Sequence, residues 1–405
     1  MSGTSQQRSR LVGVDAARGI ALVGMMVVHV LPMDGPDGSV SPAFQVFSGR
    51  ASALFAVLAG VGIALASGGR RPPLGAASRA ARRGLAARAV VIASIGLTLG
   101  SLPMPAAVIL AYYGVLFLTA LPVLHWPARR LAVLAGVGAL VTPVASYGLR
   151  RVFTGEVMDN IWWANLGDPG FAVGSLVLFG YYPVLTWTTY LFAGLAVGRL
   201  DLRAPRTAAR LVGAGAALAV AGFSIDLGAR WSAGGTPALA SRLGTTPGDL
   251  ACTLTTLMSG TTPTQSPWWL LLAGRHSGSG PDLLHTTGTA LIVLGLCLLV
   301  VPPPRRSPAV VVAPLTALGA MPLTLYTLHL LALSFVPFGR SQGTVLLLAH
   351  VATAVVLALL VGASCRRGPL EALAAAAVRR AGRSGRPASV AQQVGEGPVT
   401  DHRQM

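Results

Sequence analysis

Apolar stretches of about 20 residues recur along this chain and leave it very few ways to fold. Ten such stretches lie near 13–32, 48–67, 86–103, 105–124, 131–149, 174–198, 208–227, 283–302, 312–337 and 343–364. In a bilayer the backbone must satisfy its own hydrogen bonds, which apolar segments of this length do as helices. The expected fold is therefore all-α: a polytopic integral membrane protein of about ten transmembrane helices. Composition agrees, since only 11% of the residues are charged and 53% are hydrophobic, against roughly 25% charged in soluble domains.

The arginines orient the bundle. With the N-terminus in the cytoplasm, the clusters Arg70, Arg71, Arg79, Arg82 and Arg83, then Arg129 and Arg130, then Arg199, Arg203 and Arg206, then Arg305 and Arg306 all fall on the cytoplasmic side. The opposite loops carry Arg150, Arg151, Arg230, Arg242, Arg275 and Arg340, with most of the acidic residues (Asp34, Asp37, Glu156, Asp159, Asp168, Asp226, Asp249 and Asp282). This asymmetry follows the positive-inside rule and predicts an even number of spans with both termini cytoplasmic. Arg8 and Arg10 precede the first span as they would a signal peptide, yet Asp15 and Arg18 interrupt the apolar run and no small-residue cleavage site follows, so this span is expected to be retained.

Four segments result: a cytoplasmic N-terminus at 1–12, a transmembrane domain at 13–365, a basic amphipathic helix on the inner leaflet at 366–382, and a disordered tail at 383–405 rich in Ser, Gly, Pro and Gln. The long outer segments 150–173 and 228–282 carry Trp162, Trp163, Trp268 and Trp269, which suit headgroup-level anchors or the mouth of a cavity.

The net charge of +18 does not point to nucleic acid, because the arginines sit in short clusters between apolar stretches. All basic residues are arginine, which points to a high-GC and more specifically an actinobacterial source. Cys252, Cys297 and Cys365 have no metal-ligand spacing and make no disulfide framework, and no metal-ligand cluster, nucleophile elbow, Walker sequence or dinucleotide fingerprint is present.

The first span holds the chemistry. In RLVGVDAARGIALVGMMVVHVLP it carries Asp15, Arg18 and His29, although a charge near the middle of a span costs roughly 2.5 to 3.5 kcal/mol. Arg18 and His29 are eleven residues apart, three helical turns plus roughly 20°, so they share a face about 16 Å apart along the axis. Asp15 is one turn before Arg18 and within pairing reach. A histidine at this depth can be a general base or simply a water-satisfied group at the headgroup boundary. Arg18 can hold a phosphate or carboxylate, or only pair with Asp15. The other candidates are His329 in the outer half of the ninth span, with packing as the alternative, His276 and His285 beside a glycine-serine loop, with a plain loop as the alternative, and Arg50 at the outer boundary of the second span, which could instead snorkel into headgroups. Gly60 and Gly62 allow close helix approach.

Six stretches carry a resemblance: VDAARGIALVGMMVVH at 14–29, GRASALFAVLAGVGIAL at 49–65, YYPVLTWTTYLFAGLAVGR at 181–199, HSGSGPDLLHTTGTALIVLGLCLL at 276–299, LTALGAMPLTLYTLH at 315–329 and GPLEAL at 368–373. Together they resemble the transmembrane acyltransferase superfamily, which contains heparan-α-glucosaminide N-acetyltransferase-like proteins and acyltransferase family 3, and most closely its YeiB-like bacterial family of unassigned function. In acyltransferase family 3 a first-helix arginine and histidine recur at the spacing of Arg18 and His29 and are implicated in catalysis. In the heparan enzyme the active histidine comes instead from the following loop, which here (Met33 to Phe47) contains none.

The resemblance implies a multi-pass cell-membrane enzyme that moves an acyl, most simply acetyl, group from cytoplasmic acyl-CoA to a hydroxyl or amine, such as a carbohydrate or lipid-linked acceptor, at the outer face. His29 would be catalytic and Arg18 with Asp15 would serve acyl-CoA or a structural ion pair. His329, His276 and Arg50 would serve the acceptor or the oxyanion. Acyl-CoA is a co-substrate, with no permanently bound cofactor and no metal; the bilayer and a possible second copy of the chain are the partners. The alternatives are a proton-coupled transporter that uses Asp15, Arg18, His29 and His329, and a membrane subunit whose buried charges only pair helices.

Overall fold

The computed structural model describes residues 11–35, 39–155, 160–301, 309–335, 343–364 and 367–383. Arg8, Arg10, Asp37, Glu156, Asp159, Arg305, Arg306, Arg340, Cys365, Arg366 and the tail from 384 lie outside the described residues.

Helices account for the regular structure. Helix α1 (Val12–Val30), short α2 (Pro42–Phe47) and α3 (Arg50–Ala66) come first, then α4 (Gly75–Gly100), α5 (Leu110–Thr119) and α6 (Ala128–Val152). Helix α7 (Pro169–Gly174) runs into a π turn at Ser175–Phe179 and breaks before α8 (Val184–Gly198). Helix α9 (Pro205–Ser232) leads to short α10 (Thr236–Arg242) and α11 (Pro247–Cys252). The chain ends with α12 (Gly280–Val300), α13 (Ala309–Leu318), α14 (Pro322–Phe335), α15 (Gly343–Ser364) and α16 (Pro369–Arg383).

Among the described residues seven helices are long and apolar enough to cross a membrane, or nine spans if each bent pair counts as one, rather than ten. The missing span is the one expected at 105–124. Its helix α5 has ten residues, about 15 Å, half the roughly 30 Å of a hydrocarbon core. The bent pairs are α7–α8, at 56°, and α13–α14, at 82°. Pro322 opens α14, and the chain at Gly319 lies so close to the Asp15 carbonyl that a Cβ there would overlap it. The α13–α14 break therefore packs directly on the Arg18 end of α1.

Helix α1 lies within the bundle, where Ala16, Ala17, Ala21, Leu22 and Met26 are almost fully buried. Helices α3 and α8 meet through Gly60 and Gly194, since a Cβ on either would strike the other helix's backbone. Such small-residue contacts are how membrane helices gain close packing. Gly62 does something different. A Cβ there would come within 2.9 Å of Arg18 Nη2, so its hydrogen leaves room for the guanidinium.

The segment between α9 and α12 is a folded cap with its own core of Ala229, Leu239, Leu250, Leu254, Trp269 and Leu272. Trp269 is only 6% exposed and belongs to this core rather than to the headgroup level, whereas Trp162 and Trp163 are exposed. The cap is tied down by Asp226, which pairs with Arg230 at 2.8 Å and accepts the Ala273 amide at 2.9 Å. Helix α16 docks on α4, where Gly84 faces Val378. An apolar groove of about 520 Å³ is lined by Ala135, Gly136, Ala139, Thr189, Leu284 and Leu291.

Candidate active site

Helix α1 is unbroken from Val12 to Val30, so it holds Arg18 and His29 about 16 Å apart along one axis. At the Arg18 end, Nη1 donates to Asp15 Oδ1 at 3.1 Å, with the Arg18 side chain 25% exposed and that of Asp15 7%. Arg88 on α4 joins this end, in the electrostatic field of both Arg18 and Glu371. Its guanidinium lies over the Phe117 ring, 5.8 Å from the centroid. Its Nε is buried without a hydrogen-bond partner among the described residues. Arg88 thus brings a buried, unused donor into the field of Arg18, a group suited to an anion. A cavity of about 390 Å³ opens beside Asp15, lined also by Val12, Thr316, Met321 and Arg367.

At the other end of α1, three histidines from three helices form a row. His29 Nδ1 and His329 Nε2 are 3.2 Å apart, and His329 Nδ1 and His350 Nδ1 are 2.7 Å apart. The first two rings lie parallel, with centroids 5.4 Å apart and planes 6° apart, and the His350 ring meets His329 at 84°. His329 is buried at 4% exposure, whereas His29 and His350 are partly exposed. Tyr326, one turn before His329 on α14, lies 6.4 Å from His29 and is fixed by the Ile109 amide at 3.4 Å. Phe55 bridges Tyr326 to Tyr113. The Tyr113 hydroxyl is buried and has no partner among the described residues.

His276 and Arg50 form an adjoining cluster. His276 has φ 55°, an uncommon conformation for a side-chain-bearing residue, and its Nε2 accepts the Gly49 amide at 3.1 Å. That bond places its proton on Nδ1. Burial, with the nearby positive charge of Arg275 adding to it, pulls its pKa down to about 4. The following HSGSG stretch is a helix cap rather than a plain loop. Ser279 accepts the Asp282 amide at 3.2 Å to cap α12, and Asp282 accepts the Gly278 amide at 3.0 Å. Arg50 reaches His285 Nε2 at 3.1 Å and also donates to the Val46 carbonyl at 3.4 Å, while His285 Nδ1 donates to the Ala219 carbonyl at 3.3 Å.

The structure thus brings His29 and His329 into contact, leaves Arg18 and Asp15 paired at the far end of α1, and ties Arg50 to His285 and His276 to Gly49. Sequence reasoning passed over His350, Arg88 and Tyr113. His350 carried the same signal as His329, a lone histidine inside an apolar span, and could have been found by it. Arg88 lay inside the span expected at 86–103 and was not weighed as a site residue; α4 begins at Gly75, so Arg79, Arg82 and Arg83, expected in a loop, stand on the same helix. Among the described residues no group of three His, Cys, Asp or Glu side chains could hold a metal ion.

Residues 10–225, just over half of the chain, match the family described as heparan-alpha-glucosaminide N-acetyltransferase, catalytic. That region contains Asp15, Arg18, His29, Arg50, Arg88 and Tyr113 and ends before His276. No curated protein matches the chain.

Proposed function

The chain belongs to the heparan-alpha-glucosaminide N-acetyltransferase catalytic family, and from that membership we propose that it transfers an acyl group, acetyl in the simplest case, from acyl-CoA to a hydroxyl or amine. The observation that carries the reading is the layout of α1, with a cation at one end, an imidazole at the other, and an axial distance of about 16 Å that suits an extended pantetheine arm. Arg18 and Arg88 bind the phosphates of the donor, which enters from the cytoplasm in the topology that the arginine clusters favour. The thioester then lies near His29.

His29 acts as general base. It takes the proton from the acceptor hydroxyl or amine as that group attacks the thioester carbonyl, and the C–S bond then breaks to release CoA thiolate. Tyr113, with its unused hydroxyl, suits the developing oxyanion. His276 and the cap over α12 suit acceptor binding at the outer face of the cell membrane, where a carbohydrate or lipid-linked acceptor fits the family. The transporter reading has less support, because the match is to a catalytic domain.

The test is acetyl-CoA binding by calorimetry to the detergent-purified protein beside Arg18→Ala and His29→Ala. Saturable binding that Arg18→Ala weakens about tenfold, equal to 1.4 kcal/mol, and that His29→Ala keeps, supports the reading. Folded protein that binds neither acetyl-CoA nor longer acyl-CoAs overturns it.

A further inference from the structure

A general base in an apolar bundle needs a place to send its proton. In a Ser-His-Asp triad a buried carboxylate sits behind the histidine and stabilises the imidazolium. Here the group behind His29 is a second imidazole, His329 Nε2 at 3.2 Å, and behind that a third, His350 Nδ1 at 2.7 Å. No carboxylate is hydrogen-bonded to any of the three in the described residues.

A neutral imidazole has one donor and one acceptor nitrogen, so the row can satisfy both bonds in two ways. In the first, His29 carries its proton on Nδ1 and donates to His329 Nε2, and His329 donates from Nδ1 to His350 Nδ1. His29 Nε2 is then a bare lone pair, ready to act as a base. In the second, every bond is reversed: His350 donates from Nδ1, His329 donates from Nε2 to His29 Nδ1, and His29 carries its proton on Nε2.

We propose that the row is a proton relay, that it carries the proton taken up by His29 to His350, and that it serves the acyl-transfer reading on which it rests. The acceptor gives its proton to His29 Nε2. His29 passes its Nδ1 proton to His329 Nε2, and His329 passes its own Nδ1 proton to His350 Nδ1. One proton has entered at one end, each bond has reversed, and the positive charge rests on His350, which holds protons on both nitrogens. His329 returns to neutrality, as its burial at 4% exposure requires, because an unpaired charge there would be costly. The charge rests on the partly exposed ring of α15 until the CoA thiolate leaves; the protons then hop back, His350 Nδ1 to His329 Nδ1 and His329 Nε2 to His29 Nδ1, and His29 Nε2 gives its proton to the thiolate, which resets the row. His329 and His350 are positioning residues that act through His29.

The experiment uses full-length protein in lipid nanodiscs with ¹⁵N-labelled histidine. NMR reads nitrogen–nitrogen coupling through the His29–His329 and His329–His350 hydrogen bonds, and a thiol reagent reads CoA release from acetyl-CoA with water and then glucosamine as acceptor probes. Wild type is expected to show both couplings. His350→Phe is expected to slow CoA release about a hundredfold, keep acetyl-CoA affinity, and regain rate with added imidazole. His350→Gln can still accept the His329 bond but cannot become a cation; it is expected to fold and stay slow, whereas a merely structural role would be restored by it. Absent couplings, or a full rate in His350→Gln, overturn the relay while CoA release by wild type keeps the acyl-transfer reading. Both couplings with no CoA release from either probe overturn that reading and the relay with it.

Discussion

Glu371 accepts the Leu323 amide at 2.7 Å, and this single bond makes the C-terminal helix the cap of the helix that carries His329. The same carboxylate takes the Thr324 amide at 3.2 Å and its hydroxyl at 2.6 Å, so it satisfies donors that the α13–α14 break would otherwise leave open. A carboxylate at a helix N-terminus also meets the positive end of the helix dipole. Glu371→Ala is expected to cost about 0.5 to 2 kcal/mol, the range for losing such a cap, seen as a lower midpoint of thermal unfolding in detergent. Glu371→Gln, which keeps two oxygen- and nitrogen-bearing positions but no charge, should lose less.

Gly62 and Gly194 look alike in sequence and should respond differently to alanine. A Cβ at position 194 meets the backbone of α3, which cannot yield, so Gly194→Ala should destabilise by about 1 to 3 kcal/mol, as overpacking does. A Cβ at position 62 meets the movable end of Arg18 at 2.9 Å. Gly62→Ala should unfold at nearly the wild-type temperature yet bind acetyl-CoA more weakly, because it shifts the guanidinium.

Acid should loosen the cap through His276. Its folded pKa is about 4, below the ordinary 6.5 of an unfolded histidine. Above pH 6.5 both states are neutral and the Gly49 bond contributes in full. As pH falls from 6.5 toward 4 the unfolded state takes up a proton that the folded state refuses, so stability declines across that window and levels below it. Thermal midpoints of wild type and His276→Gln recorded between pH 7.5 and 4 should converge on acidification. Parallel curves would show that His276 contributes nothing to the slope.

Tyr113→Phe removes a hydroxyl that bonds to nothing in the described residues, so the fold should not weaken. If that hydroxyl serves the oxyanion, CoA release should fall about a hundredfold with acetyl-CoA affinity unchanged. An unaltered rate would remove Tyr113 from the site.

The helical class, most spans and the face shared by Arg18 and His29 were legible because they are local. Span length against bilayer thickness and side-chain period along one helix need no knowledge of neighbours. The short α5 was misread as a span because the apolar run at 105–124 looks continuous, and its ten-residue length is set by the turns around it. The HSGSG stretch read as a plain loop because a cap is recognised only when the donors it satisfies are in view.

The sequence by itself determined that this chain is a helical membrane protein with ionisable groups spaced along its first helix. Only the tertiary structure decided which of them meet. His29, His329 and His350 lie hundreds of positions apart at the extremes, and Arg88 on α4 comes into the field of Arg18 on α1. Such contacts depend on how helices cross, through glycines such as Gly60, Gly194 and Gly319 and through the Glu371 cap, and no periodicity along a single segment encodes a crossing.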